Sequence, residues 1–326
     1  MHLYIIPAYD SQLKGGIFSP SFYQDPLMAL PFQKLREKQN KNGFDCETID
    51  AYDGKKKDFY VINLGNIKYD CDSILEKSKK NIYIQFEPKL IKPKFYEHQD
   101  TYLRNYNCLY SYSSDDLTEK SLKKYTGNIY FPIGIPQNIS KITFKEKINK
   151  AVMIVGKHLN FLDIKGELYS QRNEIIYNKN FNNQIDLFGR GWVRLFDRRN
   201  RALEYFMNFN NIRAKYRGKC SEKMETLRQY RFCICFENYV SKSYITEKIY
   251  DCFTAGTVPI YLGAPNISEF VPSECFIDMR NFCNVQAALD YASNLNEIEF
   301  RKYTENIENF ILNFLHRNEN FLSDIL

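Results

Sequence analysis

Residues 232–262 alternate between apolar, strand-like runs and a helix-like segment, a pattern that is typical of open α/β sheets. The apolar run Phe232–Phe236 ends in the polar pair Glu237–Asn238, as buried parallel strands do. A polar loop follows, and Val258–Leu262 is typical of a second buried strand. The segment between them carries apolar residues at helical spacing: Ile249, Cys252 and Phe253. The stretch therefore predicts a βαβ unit, whose polar loop lies at the edge where such sheets bind ligands.

The predicted helix opens with residues suited to a phosphorylated sugar. A helix N-terminus offers free N–H groups and a partial positive charge, and Lys248 adds a full charge in the first turn. Glu247 can accept hydrogen bonds from sugar hydroxyls, and Tyr244 and Asn238 can complete the pocket. The alternative is that Glu247 only complements the helix dipole and Lys248 is solvated.

The remainder of the chain alternates in the same way, which predicts parallel, doubly wound sheets. We expect an N-terminal Rossmann-like domain over residues 1–140, a second over 151–296, and a C-terminal helical segment over 297–326 that braces the first domain. Predicted strands are Leu3–Ile6, Phe44–Ile49, Phe59–Leu64, Ile82–Phe86, Cys108–Tyr112, Ala151–Val155 and Ile185–Phe188. Predicted helices are Leu27–Lys38, Asp72–Lys80, Pro93–Arg104, Asp116–Lys124, Glu167–Asn178, Asn284–Leu295 and Glu297–Phe314.

Composition narrows the class of function. The net charge of +6 is spread over 45 basic and 39 acidic residues, which does not favour nucleic-acid binding. Nine cysteines without a CxxC pair, and only four histidines, predict free thiols, a reducing compartment and no metal cluster. The sequence shows neither a signal peptide nor a membrane span. We therefore expect a cytoplasmic protein with at most peripheral membrane contact.

Glu87 is the candidate for acid–base chemistry in the first half of the chain. It ends an apolar strand and precedes Pro88, so the strand cannot simply continue. Its apolar neighbours are expected to increase its basicity, which suits a general base. The alternative is an ordinary surface glutamate at a strand end. Asp115 and Asp116 are rivals, but their loop is polar and serine-rich.

Several separated segments together resemble glycosyltransferase family 10, the α1,3/α1,4-fucosyltransferases. The resemblance covers about residues 82–279 and is strongest after Tyr230. Phe86-Glu87-Pro88 is similar to a segment that carries the family's proposed base. The main match is to the family's donor-binding motif. In this chain it consists of Phe236-Glu237-Asn238, then Tyr244-Ile245-Thr246-Glu247-Lys248, then Gly256-Thr257-Val258-Pro259 and Gly263. The chain departs from the family at Tyr239, where a serine is usual.

The resemblance implies a fold and a reaction. The fold is α/β with the GT-B architecture, in which two Rossmann-like domains face each other across a cleft. The reaction is the inverting transfer of L-fucose from GDP-β-L-fucose to a hydroxyl of an oligosaccharide acceptor, a LacNAc-type or GlcNAc-containing glycan. No cofactor is obligatory, with stimulation by Mn²⁺ or Mg²⁺ left open. The roles implied are Glu87 as general base, Arg172 and Lys248 on the diphosphate, and Asn238, Tyr244 and Glu247 on fucose or nucleotide.

Two alternatives stay open. Tyr239 changes the sugar pocket, so the donor could be a different GDP-sugar. The protein could also be a catalytically silent carbohydrate-binding relative, although intact Glu87 and Lys248 argue against it.

Overall fold

Two parallel β-sheets organise the chain, each in its own compact unit. The computed structural model describes residues 1–23, 26–129, 143–158, 164–192 and 202–318. The first unit comprises Met1–Ile135, Lys242–Tyr244 and Leu315–Leu326, and the second comprises Pro136–Ser241 and Ile245–Phe314.

The first unit contains a six-stranded sheet in which every pairing is parallel. Its strands are β1 (His2–Ile6), β2 (Asp45–Thr48), β3 (Phe59–Asn63), β4 (Lys80–Gln85), β5 (Cys108–Ser111) and β6 (Tyr125–Asn128). They lie in the order β2-β1-β3-β4-β5-β6. The connecting helices are α1 (Leu30–Lys41), α2 (Asp72–Leu75), α3 (Pro93–Glu97), α4 (Gln99–Tyr102) and α5 (Glu119–Leu122).

The strands of this unit are apolar because helices and loops cover both faces of the sheet. Leu3–Ile6 is buried along its whole length. Aromatic side chains fill the space beside β1 and β4, where Tyr4 packs edge-on to Phe59 and Tyr83 stacks on Phe95. This packing fixes the end of β4, from which Glu87 follows.

The second unit also contains a six-stranded parallel sheet. Its strands are β7 (Ile148–Ile154), β8 (Ile185–Phe188), β9 (Tyr216–Gly218), β10 (Tyr230–Phe236), β11 (Val258–Leu262) and β12 (Ile277–Asp278). They lie in the order β12-β11-β10-β7-β8-β9. The helices are α6 (Tyr169–Tyr177), α7 (Ala202–Lys215), α8 (Lys223–Arg228), α9 (Glu247–Thr254), α10 (Val285–Asn294) and α11 (Glu297–Asn318).

The predicted elements are present, and the differences lie mainly at their ends. The helix expected over Pro93–Arg104 is two short helices separated at His98, whose backbone leaves the helical region. The helices expected over Asp72–Lys80 and Asp116–Lys124 shorten to α2 and α5. Strands β6 and β9 and helix α7 were not predicted. The two strands are at sheet edges and half exposed, so they lack the apolar runs of central strands.

Helix α11 packs its aromatic side against the second sheet. Phe300 contacts Phe232 and Phe144, and Phe310 contacts Phe253. Phe300 is buried in this contact, and Phe310 and Phe144 are half-buried. The bracing of the N-terminal domain by residues 297–326 stays a prediction. Within the described ranges, no helix combines the length and the apolar character that crossing a bilayer requires.

Candidate active site

The candidate site lies where β10 ends in the second sheet. The chain runs from β7 to β8 on one side of β7, and later places β10 on the other side. The carboxyl ends of β7 and β10 thus flank a topological switch point, where open α/β sheets bind ligands. Glu237, just after β10, still donates its backbone N–H to the carbonyl of Leu262 at 2.8 Å. The motif residues therefore begin on a rigid support.

Glu237 is a fully buried carboxylate that ties the end of β10 to the start of α9. It accepts hydrogen bonds from the backbone N–H of Thr246 at 2.8 Å and from its hydroxyl at 2.8 Å. It also forms an ion pair of 3.0 Å with Lys248. A Cβ atom at Gly263 would lie 2.5 Å from Glu237 Cγ and from Tyr261 Oη. Glycine at 263 therefore leaves the space that this carboxylate occupies.

Lys248 is held by two groups at the N-terminus of α9. Its Nζ donates to Glu237 Oε2 at 3.0 Å and to Thr246 Oγ1 at 2.8 Å. Burial alone would lower the pKa of Lys248, but the negative charges of Glu237 and Glu247 outweigh it, and the pKa is raised. Lys248 is thus an ammonium ion at neutral pH, and its positive charge can attract a phosphate group.

Arg172 lies on α6 and its side chain is buried rather than exposed to solvent. Its Nη1 donates to Asn238 Oδ1 at 3.0 Å, and its Nη2 donates to the carbonyl of Phe236. Arg172 also acts electrostatically on Lys248, whose pKa it works to lower. Two cations therefore meet beside Asn238 at the end of β10.

The loop after β10 positions α6 through backbone pairing. Leu168 donates its N–H to the carbonyl of Asn238 at 3.1 Å, and Val240 donates to the carbonyl of Gly166 at 2.7 Å. Gly166 has a φ of +93°, and a Cβ there would lie 3.3 Å from the ring of Tyr239. Tyr239, at the position where the family usually has serine, thus packs over Gly166.

Glu247 lies on the outer side of this cluster and is partly exposed. Its carboxylate is 3.9 Å from the Nζ atoms of both Lys248 and Lys223. Burial opposes its ionisation, but these two cations prevail and lower its pKa. Lys223 on α8 is in turn paired with Asp251, one turn further along α9. Glu247 is therefore an ionised acceptor held by two lysines.

The sequence placed Glu237 and Thr246 within the family motif but assigned neither of them a role, and it did not identify Lys223 or Asp251 as members of the site. One signal for Asp251 was available: Glu247 and Asp251 are four residues apart on one helix face, and two like charges at this spacing repel each other, which a cation nearby relieves. Nothing in the sequence indicated that Lys223 provides it.

Glu87 and Tyr244 meet within the first unit, to which Lys242–Tyr244 belongs. Tyr244 is buried and donates its hydroxyl to Glu87 Oε2 at 3.3 Å. Tyr96 donates its hydroxyl to the backbone carbonyl of Glu87 at 3.1 Å. A hydrogen bond to a carboxylate stabilises its ionised form, which is the form that can take a proton. The structure thus brings Tyr244 to the candidate base, whereas its predicted role on the donor stays a prediction.

The rival carboxylates have different surroundings. Asp115 is exposed and Asp116 is half-buried in the loop after β5. The part of the chain that the structure describes contains no group of three or more His, Cys, Asp or Glu side chains placed to hold a metal ion.

Solved structures with similar folds define the class. The chain superimposes on an α-glucosyltransferase in complex with UDP with a TM-score of 0.58 at 12% identity, covering 94% of this chain and 95% of that one. It superimposes on an α1,3-fucosyltransferase with GDP with a TM-score of 0.53 at 14% identity, covering 93% and 81%. The fold is therefore the GT-B fold of glycosyltransferases, with two Rossmann-like domains.

The family follows from the sequence. Residues 161–322 match the C-terminal domain of glycosyltransferase family 10 (fucosyltransferase), and this part of the chain belongs to that family. An α-(1,3)-fucosyltransferase from Helicobacter pylori is 35% identical over 117 residues, which are 36% of this chain. The aligned stretch is 23% of that relative's own length.

Proposed function

We propose that the protein is an inverting fucosyltransferase that transfers L-fucose from GDP-β-L-fucose to a hydroxyl of a glycan. The observation that carries the proposal is that two cations, Arg172 and Lys248, are held by Asn238 and Glu237 just after β10, within the part of the chain that belongs to family 10. A similarly folded α1,3-fucosyltransferase was solved with GDP, which supports a GDP-linked donor.

The cationic cluster would stabilise the leaving group. As the bond between fucose C1 and the diphosphate oxygen breaks, negative charge grows on GDP. Arg172, Lys248 and the N–H groups at the start of α9 are fixed before the reaction, so they stabilise this charge without reorganising. Asn238 and Glu247 would accept or donate hydrogen bonds to fucose or the nucleotide.

Glu87 would act as the general base. The acceptor oxygen forms its bond to C1 while the bond to GDP breaks on the opposite side, which inverts the configuration at C1. The proton of the acceptor hydroxyl passes to the carboxylate of Glu87, which accepts a hydrogen bond from the Tyr244 hydroxyl. We expect a LacNAc-type or other GlcNAc-containing acceptor, because the family resemblance implies it.

The main alternative within the same class is a different GDP-sugar. Tyr239 packs over Gly166 in the loop beside Asn238. This loop is therefore bulkier than the same loop with the family's usual serine at that position. A catalytically silent carbohydrate-binding protein is the alternative from another class. The intact ion pair of Lys248 and the hydrogen-bonded Glu87 favour an enzyme over it.

One assay separates these functions. The protein is incubated with GDP-fucose or GDP-mannose, with and without LacNAc, and the release of GDP is measured. We expect release with GDP-fucose that depends on the acceptor. Release only with GDP-mannose would support the other donor, and binding of LacNAc without release from either donor would support the silent protein.

An EDTA arm of the same assay tests the need for a metal ion. Because Arg172 and Lys248 already supply positive charge, we expect turnover to persist in EDTA. Addition of Mn²⁺ or Mg²⁺ then tests whether either ion stimulates the reaction. Complete loss that manganese restores would contradict a metal-independent reaction.

We also propose a cytoplasmic location. The nine cysteines are free thiols, and one of them, Cys283, is exposed. Free thiols persist in reducing compartments. Stable disulfides in freshly purified protein would contradict this location.

A further inference from the structure

The carboxylate of Glu237 is buried where a charge is costly unless several groups compensate it. Its Oε1 accepts from the Thr246 N–H at 2.8 Å and from the Thr246 hydroxyl at 3.1 Å. Its Oε2 accepts from the same hydroxyl at 2.8 Å and from Lys248 at 3.0 Å. Both oxygens are thus occupied by protein groups, so Glu237 is poorly placed to touch a ligand itself.

We propose that Glu237 is a positioning residue that acts through Lys248: it holds the ammonium in one place and presents its remaining N–H to the diphosphate of the donor. The inference rests on the proposed function, because the diphosphate is the ligand that Lys248 would meet.

The hydrogen bonds of Lys248 support this role. An ammonium group has three N–H donors. Glu237 and Thr246 accept two of them, and the described residues offer Lys248 no third hydrogen bond. The second carboxylate near the ammonium, Glu247 Oε1, is 3.9 Å away. This distance exceeds that of a hydrogen bond. One donor of a fixed ammonium is therefore available to a ligand.

The surrounding charges make Glu237 the main counter-ion of Lys248. Glu247, on the same helix, is further away and shared with Lys223 of α8, which also pairs with Asp251. Arg172 of α6 and burial both disfavour the ammonium, and the Cys235 thiol of β10 lies within electrostatic range. Without the charge of Glu237, the pKa of Lys248 should therefore fall.

The test uses Glu237→Gln, which keeps the shape of the side chain and removes its charge. The dissociation constant for GDP is measured by calorimetry at pH 7.5 and pH 9. Wild type should change little, whereas the variant should lose affinity by about tenfold or more as Lys248 loses its proton. Lys248→Ala is the matched control, because it reports every other effect of pH, including ionisation of guanine. A variant whose affinity falls with pH no more than that of wild type contradicts the inference.

A double-mutant cycle separates positioning from a merely structural role. If Glu237 acts through Lys248, Glu237→Gln combined with Lys248→Met should bind GDP as weakly as Lys248→Met alone. Additive losses in the cycle would mean that Glu237 supports the site by another route.

One measurement requires no variant at position 237 to fold. Carbon-13 labelling of the lysine side chains and an NMR titration of wild type, assigned with Lys248→Ala, give the pKa of Lys248 directly. We expect it above the ordinary 10.5. A value at or below 10.5 overturns the inference. Wild type that fails to bind GDP at all would refute the proposed function instead, and the titration would still decide whether Glu237 holds the ammonium.

Discussion

At the scale of single residues, the proposed base makes the sharpest prediction. Glu87→Gln keeps the shape of the side chain but cannot take a proton, so kcat should fall by about 10²–10⁴-fold. Affinity for GDP-fucose should barely change, since no part of the cationic cluster is altered. Steady-state kinetics and donor binding are measured in one preparation. A variant within a few-fold of wild type would move the base elsewhere, first to Asp115 or Asp116.

The hydroxyl of Tyr244 provides a companion variant. Tyr244→Phe removes one hydrogen bond to Glu87 and leaves the ring in its contact with Tyr112. Because that bond stabilises the carboxylate, the acidic limb of the pH–kcat profile should move to higher pH, and the loss at the optimum should be smaller than for Glu87→Gln. An unchanged limb would mean that the bond does not influence the base.

Lys248 carries the prediction for the donor. Lys248→Ala should weaken GDP binding by about 1.5–3 kcal/mol, the usual magnitude for a charge-assisted hydrogen bond. It should slow turnover as well, because the same charge meets the diphosphate in the transition state. The matched control is Lys302→Ala, which removes an exposed lysine of α11. It should change neither the affinity for GDP nor the turnover rate. Unchanged affinity in Lys248→Ala would place the phosphates elsewhere.

At the scale of elements, the start of α9 has a structural and a binding role. Thr246 caps the helix through its hydroxyl and also binds Glu237. Thr246→Val should lower the free energy of unfolding by about 1 kcal/mol and weaken GDP binding, because Lys248 loses one of its two fixed acceptors. Asn284→Ala removes the cap of α10 and should lower stability alone. Denaturant unfolding measures the stability of both variants, and calorimetry measures their affinity for GDP. A Thr246→Val protein with wild-type GDP affinity would contradict the binding role.

The elements themselves were largely predictable, since apolar runs and helical spacing reflect burial on a sheet. The boundaries of β8 and β11 agree with the predicted strands. The site was predictable only where residues are near one another in the sequence. Glu237 and Lys248 are 11 residues apart across a loop, and Lys223 and Asp251 are 28 apart. The first pair depends on how the loop after β10 leads into α9, and the second depends on how α8 and α9 pack. Periodicity reveals neither.

At the scale of the whole molecule, two buried lysines connect stability to pH. Lys147 and Lys215 donate to carbonyl oxygens, and burial lowers the pKa of each to about 8. The ordinary value is 10.5, so between pH 8 and 10.5 the unfolded chain holds more protons than the folded one. The contribution of each lysine to the free energy of unfolding therefore rises with pH across this window, by up to about 3 kcal/mol.

The measurement compares wild type with Lys147→Met in denaturant at several pH values. The difference between their free energies of unfolding should shift in favour of wild type as pH rises from 8 to 10.5. Lys302→Met, at an exposed position, should follow wild type throughout. A constant difference between wild type and Lys147→Met would show that Lys147 has the same pKa in the folded and unfolded states.

The central place of β7 in the second sheet affects how the protein is made. One neighbour of β7 is β8, but the other is β10, and Lys147 reaches the carbonyl of Tyr230 across 83 residues of sequence. A nascent chain must leave the ribosome as far as β10 before that edge of β7 has its partner. Distant parallel pairings form slowly, and bare strand edges recruit other chains. We therefore expect the yield of this protein in a cell to depend on how quickly translation passes residues 155–229, as well as on the stability of the finished fold.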